Sequence, residues 1–268
     1  MPEVKSSTSA RTAPELPWTI AAPSCVLPAG VAENCTFLAP RFDEIGLAFF
    51  ETGPCLAYTR QDLPDELAGL PVSWHVHLPL DLPWADGGAG GGTGGAERVA
   101  GVILALARKV EHLSPGAFVL HPPQSPKALA RLAELLEAGG LEPERLLVEN
   151  IQGRDLEDLW PAICGSGLGV CLDLGHLLAH GQEDFLALPG LSARLAMVHL
   201  NAPDPRKPAR HAALSLLDGH GQGIMREMLA LLDPSGVVML ELFGEAALAE
   251  SLRVLRGRTG TAGGEKAA

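Results

Sequence analysis

The stretch VCLDLGH, residues 170–176, is a short apolar run that ends in a carboxylate and an imidazole, Asp173 and His176. Six other apolar runs also end in a His, Glu or Asp at or near their last position. These runs are VSWHVH (His75 and His77), AFVLH (His121), LLVE (Glu149), AMVH (His199), VVMLE (Glu241) and GLAFFE (Glu51). Hydrophobic strands that repeatedly end in metal-type ligands are typical of a barrel whose chemistry lies at one mouth.

The apolar runs alternate with Leu- and Ala-rich segments, which indicates repeated βα units and a parallel sheet. We predict eight strands, near residues 25–29, 45–50, 72–78, 117–121, 145–149, 169–173, 195–200 and 237–242. Two of the helices between them, 97–113 and 127–138, have apolar positions at a period close to 3.6. The predicted fold class is α/β, a single (β/α)8 TIM barrel over residues 23–256. Residues 1–22 are predicted to be a disordered leader and 257–268 a disordered tail.

Length, charge and composition exclude several classes of protein. The chain has 268 residues and 47% hydrophobic content, but no apolar run approaches the roughly 20 residues of a membrane span, and no signal peptide begins it, so we expect a cytoplasmic protein. The net charge of −12 argues against a dedicated nucleic-acid binder. Five scattered cysteines without a CxxC pair indicate neither a disulfide framework nor a thiolate zinc site. The Gly-rich segment 86–95 fits a lid or a tolerated insertion better than a nucleotide-binding motif.

The acids and imidazoles at the strand ends point to a metal site. Burying Glu149, Asp173 and Glu241 as anions near one another would cost several kcal/mol each unless a cation compensates. Imidazole and carboxylate ligands without a thiolate fit Zn²⁺, Mn²⁺ or Fe²⁺, and the spacing does not choose among them. His75 and His77 are two residues apart and therefore share one face of their strand.

The motifs around these residues resemble, in order, those of the xylose-isomerase-like, endonuclease IV-type TIM barrels. They are HLPL at His77, LHPP at His121, LVENIQG at Glu149, LDLGH at Asp173 and His176, VHLN at His199, RHAAL at His211 and LELF at Glu241. The resemblance implies one ion held by Glu149, Asp173, His199 and Glu241. It implies a second ion held by His77 and His121 with Glu149 bridging, and a third that uses His176 and His211.

The sequence departs from the endonuclease pattern at the third ion. Ala202 and Ala209 stand where endonucleases of this type have Asp. The third site is therefore complete only if Asp204 or Asp218 supplies a substitute ligand. We expect two divalent ions, which can bind the oxygens of a phosphoester and activate an attacking water.

A narrower resemblance lies outside the ligand motifs. The phrases CVLPAGVAENC, RFDEIGLAFFET and SWHVHLPLDLPW are similar to the cobamide-remodelling phosphodiesterases of the CbiR type. That resemblance implies hydrolysis of the cobamide nucleotide loop to cobinamide phosphate and an α-riboside, which allows the lower base to be exchanged. It also implies a corrinoid pocket. The residues that we expect to bind substrate are Glu33, Asn34, Glu51, Trp74, His75, Trp84, Asn150 and Asn201. The last two directly follow ligands on their strands, so they would either orient the contacts around those ligands or bind substrate hydroxyls.

The predicted catalytic residues are Glu149, which would bridge the ions, Glu241, His176 and His211. Glu241 or a nearby carboxylate would transfer protons. The main alternative is a sugar or sugar-phosphate isomerase or epimerase that uses one ion and the pair Glu149 and Glu241. Two further hypotheses remain, a corrinoid- or metal-binding module without catalysis and a DNA abasic-site endonuclease, which Ala209 and the acidic charge disfavour. We expect a small-molecule substrate and neither nucleic-acid nor membrane partners. The oligomeric state is left open.

Overall fold

Eight parallel strands close into a barrel in the computed structural model, which describes residues 16–84 and 95–259. The barrel strands are β1 (Thr19–Pro23), β2 (Glu44–Ala48), β3 (Ser73–His77), β4 (Ala117–Leu120), β5 (Leu146–Glu149), β6 (Gly169–Asp173), β7 (Leu195–Leu200) and β10 (Val237–Leu240). Each strand pairs with the next in the chain, except that β10 follows β7, and β1 pairs with both β2 and β10. The predicted TIM barrel is therefore confirmed.

Helices follow the strands and cover the outside of the barrel. They are α1 (Val31–Leu38), α2 (Thr52–Ala57), α3 (Ala96–Lys109), α4 (Pro126–Ala138), α5 (Leu156–Gly165), α6 (Leu174–His180), α7 (Gly219–Leu231) and α8 (Glu245–Thr259). Helix α4 shows why they form where they do, because Ser125 accepts a hydrogen bond from the Ala128 amide and Pro126 occupies the first turn. None of the helices in residues 16–84 and 95–259 has the length and apolar character of a membrane span.

The first strand is the one element that the sequence places wrongly. Strand β1 is Thr19–Pro23, of which all but Pro23 fall in the predicted leader, whereas the predicted strand 25–29 forms a turn before α1. The turn is held by Asn34, whose side chain accepts from the Leu27 amide and donates to the carbonyl oxygens of residues 27, 29 and 30. Strand β1 does not stand out as an apolar run in the sequence, because its buried centre consists of Ala21 and Ala22, small residues with weak strand preference.

The barrel therefore begins before residue 23, and its last helix ends at Thr259, beyond the predicted boundary at 256. The rest of the predicted leader, residues 1–15, and the tail from residue 260 lie outside the described residues. So does the Gly-rich segment, except for Gly95.

A layer of apolar side chains fills the barrel below its mouth. Val119, Leu147, Cys171 and Met197 form this cluster inside the barrel. Two positions further along the same strands or just past their ends are His121, Glu149, Asp173 and His199. Because alternate residues of a strand face the same side, the interior changes from apolar packing to acids and imidazoles at its carboxyl end.

A hairpin between β7 and α7 lies at the same end of the barrel. Strands β8 (Ala202–Asp204) and β9 (Lys207–Ala212) are antiparallel, with Pro203 opposite His211. This hairpin, which the alternation of strands and helices does not predict, brings Arg210 and His211 to the cavity above the barrel.

Candidate metal centre

Three carboxylates are buried at the mouth of the barrel. Glu149 ends β5, Asp173 ends β6, and Glu241 follows β10 directly; the first two are fully buried and Glu241 is 4% exposed. Together with His199 of β7 they offer ligand atoms that all lie within 4.8 Å of one another. The structure thus brings together the four residues predicted to hold the first ion.

Glu149 belongs to a second group with His77 and His121. Its Oε2 lies 3.2 Å from His77 Nε2 and 3.0 Å from His121 Nε2. Its Oε1 lies 3.1 Å from His199 Nδ1 in the first group. The two oxygens of this carboxylate therefore face two different sets of imidazoles, which is the arrangement expected of a residue that bridges two ions.

Asp173, His176 and His211 form a third group of converging ligand atoms. His176 Nδ1 lies 2.8 Å from the carbonyl oxygen of Asn150, to which it can donate, and this leaves Nε2 as the free ligand atom. Neither proposed substitute ligand joins the group. Asp204 accepts from the Arg206 amide in the hairpin turn, and Asp218 caps α7 by accepting from the Gly221 amide.

Two asparagines hold Asp173 in place. Asn150 accepts from the Asp173 amide at 2.7 Å and donates to the Asp173 carbonyl at 3.1 Å. Asn201 donates to Asp173 Oδ2 at 2.6 Å. A Cβ at Gly175 would overlap Asn201 Oδ1, so a glycine is needed there. Contacts of this kind orient a metal ligand, which is one of the two roles predicted for these asparagines; the other, binding of substrate, stays a prediction.

Burial and neighbouring charges shift the pKa values in the cluster. Burial opposes ionisation of Glu149, but the imidazoles of His199 and His121 outweigh it and hold its pKa well below the usual range. Burial likewise opposes charge on His199, and its neighbours Cys171, Glu241 and Glu149 raise its pKa well above the usual value. Burial raises the pKa of Asp173, which has no comparably close cation. Without a metal, the acids therefore depend on protonated imidazoles for compensation.

One buried carboxylate oxygen at the mouth fits a bound cation. Glu241 Oε2 lies 3.3 Å from Nδ1 of both His199 and His211, but neither approach has hydrogen-bond geometry. A buried carboxylate oxygen without a hydrogen bond is costly unless a cation binds it. The residues present therefore fit divalent metal, although the number and identity of the ions remain predictions.

Other predicted substrate-binding residues lie elsewhere. Asn34 is buried and its amide is used by the turn before α1, so it does not have the predicted place in a pocket. Glu33 caps the same turn by accepting from the Gly30 amide. Trp74 alternates with the inward-facing residues of β3 and is buried in the main core. Glu51 and Trp84 are not among the residues that line the cavity at the mouth.

His75 also differs from its predicted place. It shares the inward face of β3 with His77 but lies one layer lower, 1% exposed, with Nδ1 2.6 Å from Glu44 Oε1. A Cβ at Gly46 would overlap the His75 ring, which shows how closely β2 and β3 pack there. His75 is therefore part of a buried polar pair inside the barrel rather than a substrate contact.

A cavity of about 480 Å³ opens above the cluster. Its lining includes the ligand groups His77, His121, Glu149, His176, His211 and Glu241, and also Phe50, Leu80, Arg210 and Phe243. The last four were missed in the sequence. Leu80 lies inside the HLPL motif, Arg210 directly precedes His211, and Phe243 is two residues after Glu241. Their positions relative to the ligand motifs could therefore have indicated that they line the site.

Cys171 is a further residue that the sequence did not assign to the site. Its sulfur lies within 4.8 Å of ligand atoms of Glu149 and His199, directly below the mouth. Burial raises the pKa of this thiol to about 12. It is therefore a neutral neighbour of the cluster, two residues before Asp173 on β6.

Comparisons with known proteins agree on the fold. The sequence matches the xylose isomerase-like TIM barrel family over residues 112–258, more than half of the chain. The structure is similar to a D-tagatose 3-epimerase-like protein, with 17% identity, a TM-score of 0.68 and coverage of 90% of this chain and 97% of that chain. L-ribulose 3-epimerase is similar at 12% identity and a TM-score of 0.62, with 93% and 99% covered.

The IOLI protein with a bound zinc atom is similar at 12% identity and a TM-score of 0.61, with 91% of this chain and 97% of that chain covered. At such identities the likeness concerns the fold alone. No curated protein sequence matches the chain.

Proposed function

Since the chain belongs to the xylose isomerase-like TIM barrel family, we propose that it is a metal-dependent phosphodiesterase whose substrate is the nucleotide loop of a cobamide. The observation that carries the hydrolytic part is the place of Glu149 between two groups of ligands. One oxygen faces His77 and His121, and the other faces His199. A carboxylate so placed suits two cations a few ångströms apart, the arrangement of many phosphoester hydrolases.

The first ion would be held by Glu149, Asp173, His199 and Glu241, and the second by His77, His121 and Glu149. Zinc, manganese and iron(II) all suit these ligands. When bound, such ions supply electrophilic stabilisation of the negative charge that builds up on a phosphoester during hydrolysis.

The residues of the chain would position the substrate and move protons. Glu241 borders the cavity, so one of its two carboxylate oxygens would transfer a proton while the other holds the first ion. His176 and His211 line the cavity on the hairpin side, where they can contact the phosphoester or the leaving oxygen. Asn150 and Asn201 would keep Asp173 in one orientation.

The cobamide part of the proposal is supported by the three sequence phrases that resemble the CbiR type. Incubation of the metal-loaded protein with adenosylcobalamin, followed by chromatography of the corrinoids, tests it. We expect cobinamide phosphate and an α-riboside. Return of intact substrate only, with two ions bound per chain, would reject the cobamide substrate.

A sugar isomerase or epimerase that uses one ion is the second candidate, since a D-tagatose 3-epimerase-like protein and L-ribulose 3-epimerase have a similar fold. Glu149 and Glu241 would then exchange protons with a sugar carbon. The variant His121→Ala distinguishes the two functions, because His121 belongs only to the second group of ligands. We expect this variant to bind one ion and to lose hydrolysis. A wild-type protein that binds one ion, with no effect of the substitution, would favour the isomerase.

A further inference from the structure

One side of the cavity is an apolar wall, formed by Phe50, Leu80 and Phe243. The rings of Phe50 and Phe243 meet edge to face with centroids 5.5 Å apart. Phe243 also stacks on His211, at 5.3 Å and an interplanar angle of 24°. The wall is thus built onto a residue of the metal cluster.

The apolar wall is exposed to an unusual degree. Leu80 is 52% exposed and Phe243 is 47% exposed. In the described part of the chain only one other large hydrophobic residue, Leu216 at 56%, is similarly exposed. Two of these three therefore face one cavity. Exposed apolar surface concentrated in a concave site indicates binding of apolar groups.

The rest of the cavity has the opposite character. The acids and imidazoles form its floor, and Arg210 of β9 lies exposed at its rim. Arg210 makes no ion pair within 4.0 Å among residues 16–84 and 95–259. A guanidinium at the rim suits an anionic oxygen, and the wall beside it suits a flat ring.

We propose that the apolar wall selects substrates in which a flat apolar ring lies next to the phosphoester that meets the metal floor. A sugar phosphate without such a ring would leave Leu80 and Phe243 in water and is disfavoured. This inference rests on the proposed function, because it specifies the substrate class of the same site. It adds that Leu80 and Phe243 determine specificity, while Arg210 binds the anion whatever group it carries.

Equilibrium binding of two small phosphonates tests the proposal without any turnover. Phenylphosphonate and methylphosphonate are titrated calorimetrically into the metal-loaded full-length protein, in a buffer alkaline enough to keep both doubly charged. We expect phenylphosphonate to bind about tenfold more tightly, because its ring buries apolar surface against the wall. Equal binding of the two, or binding of neither, would overturn the proposal.

Variants assign the selectivity to the wall. Phe243→Ala and Leu80→Ala are each expected to remove most of the tenfold preference, with less than about a twofold change for methylphosphonate. Leu80→Ala is the cleaner variant, because Phe243 stacks on His211. Leu216 is an exposed hydrophobic residue that does not line the cavity, so Leu216→Ala is the matched control. It should change the affinity for neither phosphonate. Arg210→Ala should weaken both ligands by the same factor.

The outcomes separate this proposal from the proposed function. If the protein prefers phenylphosphonate but leaves cobalamin intact, the selectivity of the apolar wall is supported and the cobamide substrate is rejected. If the protein cleaves cobalamin but does not distinguish the two phosphonates, the proposed hydrolytic function is supported and the selectivity of the apolar wall is rejected. A preference that persists in both wall variants, at unchanged metal content, would also reject it.

Discussion

Replacing Glu149 with Gln removes the negative charge from the centre of the cluster and keeps the side-chain volume. Glu149 lies 3.2, 3.0 and 3.1 Å from nitrogens of His77, His121 and His199. Because one carboxylate serves all three imidazoles, we expect its loss to weaken both groups of ligands together. Glu149→Gln should therefore bind no more than one ion per chain where the wild type binds two.

The metal-free protein should also lose stability. Removing one partner of a buried charged network costs about 3–5 kcal/mol. For a chain of this size, about 2–4 °C of melting temperature corresponds to each kcal/mol, so the expected decrease is roughly 6–20 °C. Differential scanning calorimetry in the presence of a chelator measures this decrease, and elemental analysis after reloading measures the ions bound.

Glu44→Gln is the matched control. Glu44 is also buried and lies 2.6 Å from an imidazole nitrogen, that of His75, but below the mouth of the barrel. We expect Glu44→Gln to lower the melting temperature while it leaves the number of bound ions unchanged. If Glu149→Gln binds as many ions as the wild type, or if both variants lose ions equally, the bridging role of Glu149 is refuted.

Three further predictions concern the residues around the cluster. Asn201→Ala removes the 2.6 Å hydrogen bond to Asp173 and should weaken metal binding about 10–100-fold in a chelator competition titration; unchanged affinity would contradict the orienting role. Gly175→Ala places a methyl group against Asn201 Oδ1 and should cost about 1–3 kcal/mol in chemical denaturation, and a neutral result would contradict the close approach. The pKa of His199 is raised in the folded protein, so its protonation stabilises the metal-free protein. This stabilisation is complete below about pH 6.5 and is lost as pH rises through the folded pKa. Melting temperatures with chelator should therefore fall with increasing pH above about 6.5, whereas saturating metal should reverse the trend, because it binds neutral imidazole.

The sequence predicts the barrel because most of its strands are continuous apolar runs between helical segments. Seven of the predicted strands overlap observed ones, and 169–173 and 195–200 coincide with β6 and β7. Strand β1 was missed because pairing with β2 and β10, rather than the preference of Ala21 and Ala22, makes it a strand. Such long-range pairing leaves little local trace.

The placement of the cluster was predictable for a different reason. Parallel strands of a barrel all end at one mouth, so acids and imidazoles at their ends must converge. The positions of Asn34 and His75 could not be deduced in this way. Asn34 binds backbone groups of its own turn. His75 is on the same face of β3 as His77, but it lies one layer below the mouth and pairs with Glu44. Depth along a strand depends on where pairing begins, which the sequence pattern does not fix.

The apolar wall was missed because its members come from three separate loops. Phe50, Leu80 and Phe243 lie after β2, β3 and β10, and each is unremarkable as a single hydrophobic residue. Their common cavity with Glu241 and His211 is what suggests the role that we propose for them.

The central claim is that side chains from separate strands hold two divalent ions at the mouth, with Glu149 between them. Anomalous diffraction at the metal absorption edge, on crystals of the metal-loaded protein, tests this claim most directly. We expect two peaks, one between Glu149 and the pair His77 and His121, and the other among Glu149, Asp173, His199 and Glu241. A single peak away from Glu149, or no peak at the mouth of the barrel, would contradict the account.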